Sequence, residues 1–110
     1  MNVNTIPEPA RFDSLIEVPF GSINAAYTAI GSPLTHQWRI IDIVNTTNQA
    51  MYISFNGVAN NIYVPAGGFR VYDLFANNLR EPIGTQIFLK YEAAPASGKV
   101  VVMGVYSAVP

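Results

Sequence analysis

The chain has 110 residues, a length typical of one domain and too short for two ordinary hydrophobic cores. Charged residues make up 12% of it, about half of the share usual in soluble domains, and the formal net charge is −1. The few Arg and Lys residues are scattered, so nucleic-acid binding is not expected. Cysteine is absent, which excludes disulfides, thiolate zinc sites and a cysteine nucleophile.

The low charge predicts an oligomer, because weakly charged surfaces suit burial against neighbouring subunits better than mutual repulsion in solution. No window approaches the roughly 18 consecutive apolar residues of a membrane span, so no membrane partner is expected. The first residues lack the basic start and apolar core of a signal peptide, which predicts synthesis in the cytoplasm without secretion.

Residues 1–13 predict an extended N-terminal arm, and residues 14–110 predict a single domain. Pro7 and Pro9 disfavour a helix in the arm, and no apolar period is present there. We expect the arm to reach a neighbouring subunit around Ile6 and Phe12. A disordered tail is the alternative for an isolated subunit.

From residue 14 onward, short apolar runs recur about every ten positions between Gly, Pro, Asn and Ser clusters, a rhythm typical of an all-β fold. The clearest strand covers residues 50–56, where Met51, Ile53 and Phe55 alternate with polar neighbours. The other predicted strands cover residues 38–44, 61–64, 69–75, 86–92 and 99–107. Weaker candidates are 15–20 and 23–30, and the second of these leaves a short helix open.

Three connections carry pairing predictions. Asn56-Gly57 favours a tight primed turn, with a return strand near residues 61–64. Strand 38–44 is expected to pair with 50–56, and 86–92 with 99–107 as a terminal hairpin. The loop over residues 76–85 is then the connection long enough to cross between sheets. Seven or eight short strands predict an antiparallel β-sandwich of jelly-roll or immunoglobulin-like type, with a small closed barrel as the alternative.

Catalytic chemistry is not indicated. His36 is the only histidine, and although Ser32 or Ser54 could form a triad with it and Asp42, nothing in the spacing favours this. The carboxylates are spread singly, and no phosphate loop, dinucleotide fingerprint or metal-ligand cluster is present. We therefore expect a non-enzymatic protein with no catalytic residue, cofactor or metal.

Two aspartates interrupt apolar strands. If Asp42 and Asp73 face inward they need partners, and Arg39 and Arg70 are the candidates, which favours structural ion pairs over a catalytic acid. Asn45-Thr-Thr47 matches the glycosylation pattern, but without a secretion signal we interpret the match as accidental.

Aromatic residues make up 12% of the chain and suit core and interface packing, although a sugar-stacking platform built from Trp38, Tyr52, Tyr63 and Tyr72 is the alternative. The strands around Ile40 and Val101 are apolar on both faces, so which face meets the core stays open. The candidate interface residues are Ile6, Phe12, Trp38, Tyr52, Tyr63, Tyr72, Val101 and Val105.

Three segments, residues 41–57, 61–69 and 87–91, carry a resemblance to small β-sandwich virion proteins of tailed bacteriophages. The shared pattern is a polar turn, a strand ending in Phe55-Asn56-Gly57, and then Val64-Pro65-Ala66-Gly67. The resemblance covers about half of the chain and brings no active-site residues with it.

The resemblance implies a structural protein of the virion, a capsid decoration or cementing protein that docks in many copies. Its partners would be other copies of itself and a larger capsid or tail protein. The alternatives are a head-tail or tail accessory protein and, from another class, a carbohydrate- or receptor-binding module that uses the aromatic side chains.

Overall fold

The computed structural model describes residues 10–77 and 79–107 of the chain. It confirms the predicted all-β fold, with nine strands and two single-turn 3-10 helices, Phe20–Ser22 and Phe75–Asn77, in the part that it describes. The strands are β1 (Ala10–Phe12), β2 (Ile16–Pro19), β3 (Thr28–Ile30), β4 (Trp38–Asn45), β5 (Met51–Ser54), β6 (Ile62–Val64), β7 (Phe69–Asp73), β8 (Ile87–Tyr91) and β9 (Lys99–Ser107).

The strands form two antiparallel sheets of a sandwich. In sheet A the order is β1 and β2, then β9, β4 and β7, with β1 and β2 pairing one after the other along the same edge of β9. In sheet B the order is β3, β8, β5 and β6. From β2 to β9 the chain changes sheet at every connection except the β5–β6 hairpin, which is the strand order of a jelly roll. Of the two predicted sandwich types, the jelly roll is therefore the one formed.

The predicted pairing of β4 with β5 is wrong, because β4 already lies between β9 and β7 and has both edges occupied. The buried side chain of Asn45 turns the chain towards the other sheet. Its Nδ2 donates to the Gln49 carbonyl at 2.9 Å and also to the Val64 and Pro65 carbonyls, while its Oδ1 accepts from the Thr47 hydroxyl. This amide is fully enclosed by protein, which agrees with an accidental glycosylation pattern.

The predicted terminal hairpin of β8 and β9 is also wrong, since the two strands lie in different sheets. Their connection packs on the β4–β5 corner, where the Lys99 N–H donates to Thr46 Oγ1 and the Ala96 N–H donates to Asn48 Oδ1. Gly98 has a φ of 84°, and a Cβ there would overlap the Thr46 carbonyl. The absence of a side chain lets the two corners meet at one end of the sandwich.

The predicted return strand after Asn56-Gly57 is confirmed as β6, but the turn between them is not a tight one. Seven residues, 55–61, connect the strands. The side chain of Asn56 accepts the N–H groups of Val58 and Ala59, and Asn61 accepts the N–H of Phe55. Side-chain hydrogen bonds therefore replace the primed turn that the dipeptide favours.

The core lies between the sheets and is closed by Trp38, which is 1% exposed. A register shift between Trp38 and Ile40 marks a bulge in β4, so Trp38 and Ile41 both face inward although they are three residues apart. The indole ring covers Gly104 of β9, where a Cβ would overlap it. The largest other enclosed side chains come from both sheets: Ile43, Met51, Ile53, Val64, Ile87, Leu89, Val100 and Val102.

Candidate interaction surfaces

The outer surface of sheet A is mainly apolar. Val100 and Val102 of β9 are fully buried, so the alternating residues of this strand face away from the core. The same alternation applies to β4 and β7, whose paired residues share a side of the sheet. We call this surface face A, formed by Phe12, Ile40, Asp42, Val44, Phe69, Val71, Asp73, Val101, Met103 and Val105.

The strands at the two sides of face A leave large apolar groups open to solvent. Phe12 of β1 is 80% exposed, and Phe69 and Val71 of β7 are 63% and 52% exposed. The residues of β4 and β9 between them are half-buried by their neighbours. Four strands about 4.8 Å apart and about five residues long cover on the order of 300 Å², the size at which an exposed patch on a monomer is often functional.

Asp42 is the one charged residue within the centre of face A. The register places it between Val71 of β7 and Met103 of β9, with Ile40 and Val44 before and after it on β4. Its Oδ1 is buried and has no hydrogen-bond partner, the only such side-chain atom among the described residues. Because Asp42 and Asp73 alternate with the inward residues of their strands, the condition for the predicted inward ion pairs is not met.

Glu17 and Lys99 lie at the β2 margin of face A. Lys99 Nζ is 2.6 Å from Glu17 Oε1, and both side chains are about half exposed. A pair so open to solvent contributes little to stability. Lys99, the cation at this margin, is therefore already paired with an acid.

The outer surface of sheet B, which we call face B, is aromatic and polar. Tyr63, Tyr52 and Lys90 stand side by side across β6, β5 and β8. The Tyr52 and Tyr63 ring centroids are 5.4 Å apart, and Lys90 Nζ lies 4.6 Å from the Tyr27 ring centroid and 5.5 Å from that of Tyr52. The face is thus a row of rings around one ammonium group.

Hydrogen bonds complete face B. The Tyr27 hydroxyl donates to Asn60 Oδ1 at 2.6 Å, and the Tyr63 hydroxyl lies 3.5 Å from Glu92 Oε2. Partial burial raises the pKa of Tyr27 and of Tyr52, and the negative charge of Glu92 adds to the rise at Tyr52. Both phenols therefore stay neutral donors at physiological pH, on a surface able to hydrogen-bond along its whole row.

His36 belongs to a cluster that closes the β1 end of the core. Its ring stacks on Tyr106 with the centroids 3.8 Å apart, and its Nδ1 is 3.4 Å from Asp13 Oδ2. The same oxygen accepts the Trp38 Nε1–H at 2.9 Å. Burial acts to raise the pKa of Asp13, but hydrogen bonds from Trp38, His36 and the Ser14 N–H outweigh it and lower the pKa.

The formal triad considered for His36 is not brought together. The Ser54 hydroxyl donates to Asn56 Oδ1 in sheet B, and Asp42 lies on face A. In the part of the chain that the structure describes, no group of three or more His, Cys, Asp or Glu side chains is placed to hold a metal ion. A shallow groove of about 440 Å³ opens between the edge strands β2 and β3, and its lining contains Glu17 but no histidine.

The structure places the predicted interface residues that it describes in four different locations. Phe12, Val101 and Val105 share face A, while Tyr52 and Tyr63 share face B. Tyr72 is 37% exposed on the inner side of edge strand β7, opposite Ile41. Trp38 is a core residue and offers no surface to a partner, and Ile6 lies outside the described residues.

Sequence reasoning missed Phe69, Val71 and Met103 on face A and Tyr27 and Lys90 on face B. The segment over residues 69–73 did carry a signal, because Phe69, Val71 and Asp73 alternate with Arg70 and Tyr72. That pattern identifies two sides of a strand but not which side meets the core. Tyr27 precedes its strand and had no periodic signal.

Comparison of the chain with protein-family models, with curated proteins and with solved structures gives no match. Within the described residues, no helix has the length and apolar character needed to cross a membrane.

Proposed function

We propose that the protein is a non-enzymatic structural subunit that docks in many copies through face A. The observation that carries the proposal is the contiguous apolar surface from Phe12 to Phe69, which leaves side chains up to 80% exposed in a chain with few charges. Large exposed apolar patches on small proteins mark interaction sites. The assembly that we propose is a tailed-phage virion, in which the subunit decorates or cements the capsid.

The size of face A favours repeated rather than single docking. Covering about 300 Å² of apolar surface yields roughly 7 kcal/mol at about 25 cal/mol per Å². Loss of translational and rotational freedom on association takes about 4 to 15 kcal/mol. One such contact is therefore weak alone, and many copies on a repeating lattice, supported by further contacts, raise the overall affinity.

The test is the amount of the protein in purified virions, measured by quantitative mass spectrometry. Virions made with the wild-type protein should contain it at a fixed ratio to the major capsid protein. Val71→Asp places a charge in the exposed centre of β7, and we expect it to reduce that ratio by at least about tenfold. Val58→Asp is the matched control, because Val58 is 82% exposed in the β5–β6 loop and belongs to neither face.

Two results would contradict the proposal: absence of the wild-type protein from virions, or retention of the Val71→Asp variant at the wild-type ratio. A head-tail or tail position is the alternative within the same class. In that position each particle would contain only a few copies of the protein, whereas a decoration protein would be present in proportion to the major capsid protein.

Carbohydrate binding is a second candidate, and face B is the observation that favours it. Rings flanked by hydroxyl, amide, carboxylate and ammonium groups are a combination that sugars can stack on and hydrogen-bond to. Because Trp38 is buried, its fluorescence would not report direct stacking of a sugar. A glycan array with the wild-type protein and a Tyr52→Ala variant is the test, and binding that this substitution abolishes would support the module.

A further inference from the structure

Asp42 is poorly explained by the needs of the isolated subunit. A buried carboxylate oxygen without a donor loses hydration and gains no hydrogen bond, which is destabilising. Asp42 Oδ1 is in this state, surrounded by the apolar side chains of face A. The carboxylate is stabilised when a cation is brought to its open side from outside.

A second copy docked by the same face is a poor source of that donor. Such a contact is two-fold symmetric, so residues near its axis face their own copies, and with Asp42 at the centre of face A two Asp42 carboxylates would come close together. The residues that the register puts on face A include Asp42 and Asp73, with Glu17 at the margin, while Lys99 already pairs with Glu17. Like charges brought together in a desolvated contact cost several kcal/mol, which disfavours self-docking.

We propose that face A binds a different protein that inserts an Arg or Lys side chain between Val71 and Met103, where it bonds to the Asp42 carboxylate. This inference rests on the proposed function and identifies the chemistry of the partner, a larger particle protein with a basic residue set in an apolar surface. The ring of aliphatic side chains excludes water from the pair and strengthens it. An arginine fits best, because its planar fork keeps its donors fixed and is more weakly hydrated than an ammonium group.

The test uses particles that were assembled without this protein because its gene was deleted from the phage genome. Labelled purified protein is then added back to these particles. Asp42→Asn keeps the shape of the side chain and removes its charge. We expect its affinity for the particles to fall by about thirtyfold or more, since the partner's cation then stays buried and unpaired. Glu92→Gln makes the same chemical change at an exposed position beside face B, on the opposite sheet, and should change affinity less than about threefold.

Two further measurements on the free protein separate this role from a structural one. The thermal midpoint of Asp42→Asn, followed by circular dichroism, should equal or exceed that of the wild type, because the substitution removes the charge from a half-buried side chain whose Oδ1 has no donor. In sedimentation velocity the variant should self-associate more strongly than the wild type, since like-charge repulsion on face A is reduced.

Several outcomes would overturn the inference. Wild-type affinity of Asp42→Asn for particles would show that the carboxylate meets no cation. A lower thermal midpoint would give Asp42 a role inside the subunit. If the wild type forms dimers, and Val71→Asp abolishes them while Asp42→Asn leaves them unchanged, then face A binds a second copy of the chain. Binding lost in Val71→Asp but kept in Asp42→Asn would leave the proposed function intact, whereas no binding of the wild type would remove both.

Discussion

Face A and face B cover the same core but differ in whether their polar atoms have partners within the subunit. On face B each polar group of the tyrosine row has a neighbour within the subunit: Lys90 lies by Tyr27 and Tyr52, and Tyr63 lies by Glu92. On face A the large exposed groups are aliphatic or phenyl, and one oxygen of the central carboxylate lacks a partner. A surface whose polar groups are already paired is stable in water. Face A, in contrast, is stabilised when a partner covers its apolar side chains.

The largest predicted effect comes from the core that both faces share. Gly104→Ala places a Cβ into the Trp38 ring, and overpacking a rigid aromatic contact of this kind should cost about 3 kcal/mol or more. We expect the thermal midpoint measured by circular dichroism to fall by more than about 10 °C. Gly21→Ala is the control, because nothing lies within 4 Å of an added Cβ there, and it should change stability by less than about 0.5 kcal/mol. A stable Gly104→Ala variant would contradict the described packing of β4 on β9.

A smaller effect is expected at Asp13, which follows β1 and accepts the indole N–H of the core residue Trp38. Its lowered pKa means that the ionised form is favoured in the folded state, so this stabilisation is full above the ordinary value of 3.8 and is lost as pH falls through the folded pKa. Asp13→Asn should therefore reduce the free energy of unfolding by about 1 kcal/mol at pH 7.

The difference between wild type and Asp13→Asn should shrink in urea titrations carried out below pH 3.8. A constant difference at all pH values would show that the hydrogen bond to Trp38 acts through shape alone and not through the charge of Asp13.

The smallest effect is expected on face B. Lys90→Gln removes the ammonium group that lies over Tyr27 and Tyr52 and should cost about 0.5 to 1 kcal/mol in urea unfolding. Particle binding should stay at the wild-type level, because Lys90 lies on the opposite sheet from face A. Loss of particle binding in Lys90→Gln would show that the subunit docks through face B and not through face A.

Strand positions could be predicted closely from local pattern, but strand partners could not. The sequence places strands at residues 99–107 and 38–44, and β9 and β4 occupy these positions with at most one residue of difference. Pairing is set by contacts between residues far apart in the chain, so the corner formed by the buried amide of Asn45 had no readable signal beyond its polar turn. The jelly-roll order stayed open for this reason.

The candidate surfaces were predictable in part. Val101 and Val105 could be selected because a strand that is apolar on both sides needs cover on both, and Phe12 because it belongs to the segment predicted to reach a neighbour. Their common face depends on the β1–β9 and β4–β9 registers, which no local pattern determines. Trp38 shows the limit in the other direction, since an aromatic residue at a strand start suits a core and an interface equally well, and only the packing of its ring on Gly104 identifies the core.

The position of β9 in sheet A has a consequence for how the subunit is made. β9 is the last of the nine strands to leave the ribosome, yet it joins β1, β2 and β4. Until it is in place, β1 and β2 are not joined to the β4–β7 pair, and face A is incomplete. On the proposed function, a nascent or truncated chain that lacks β9 therefore has no complete docking surface to offer, and recruitment waits until synthesis has passed residue 107.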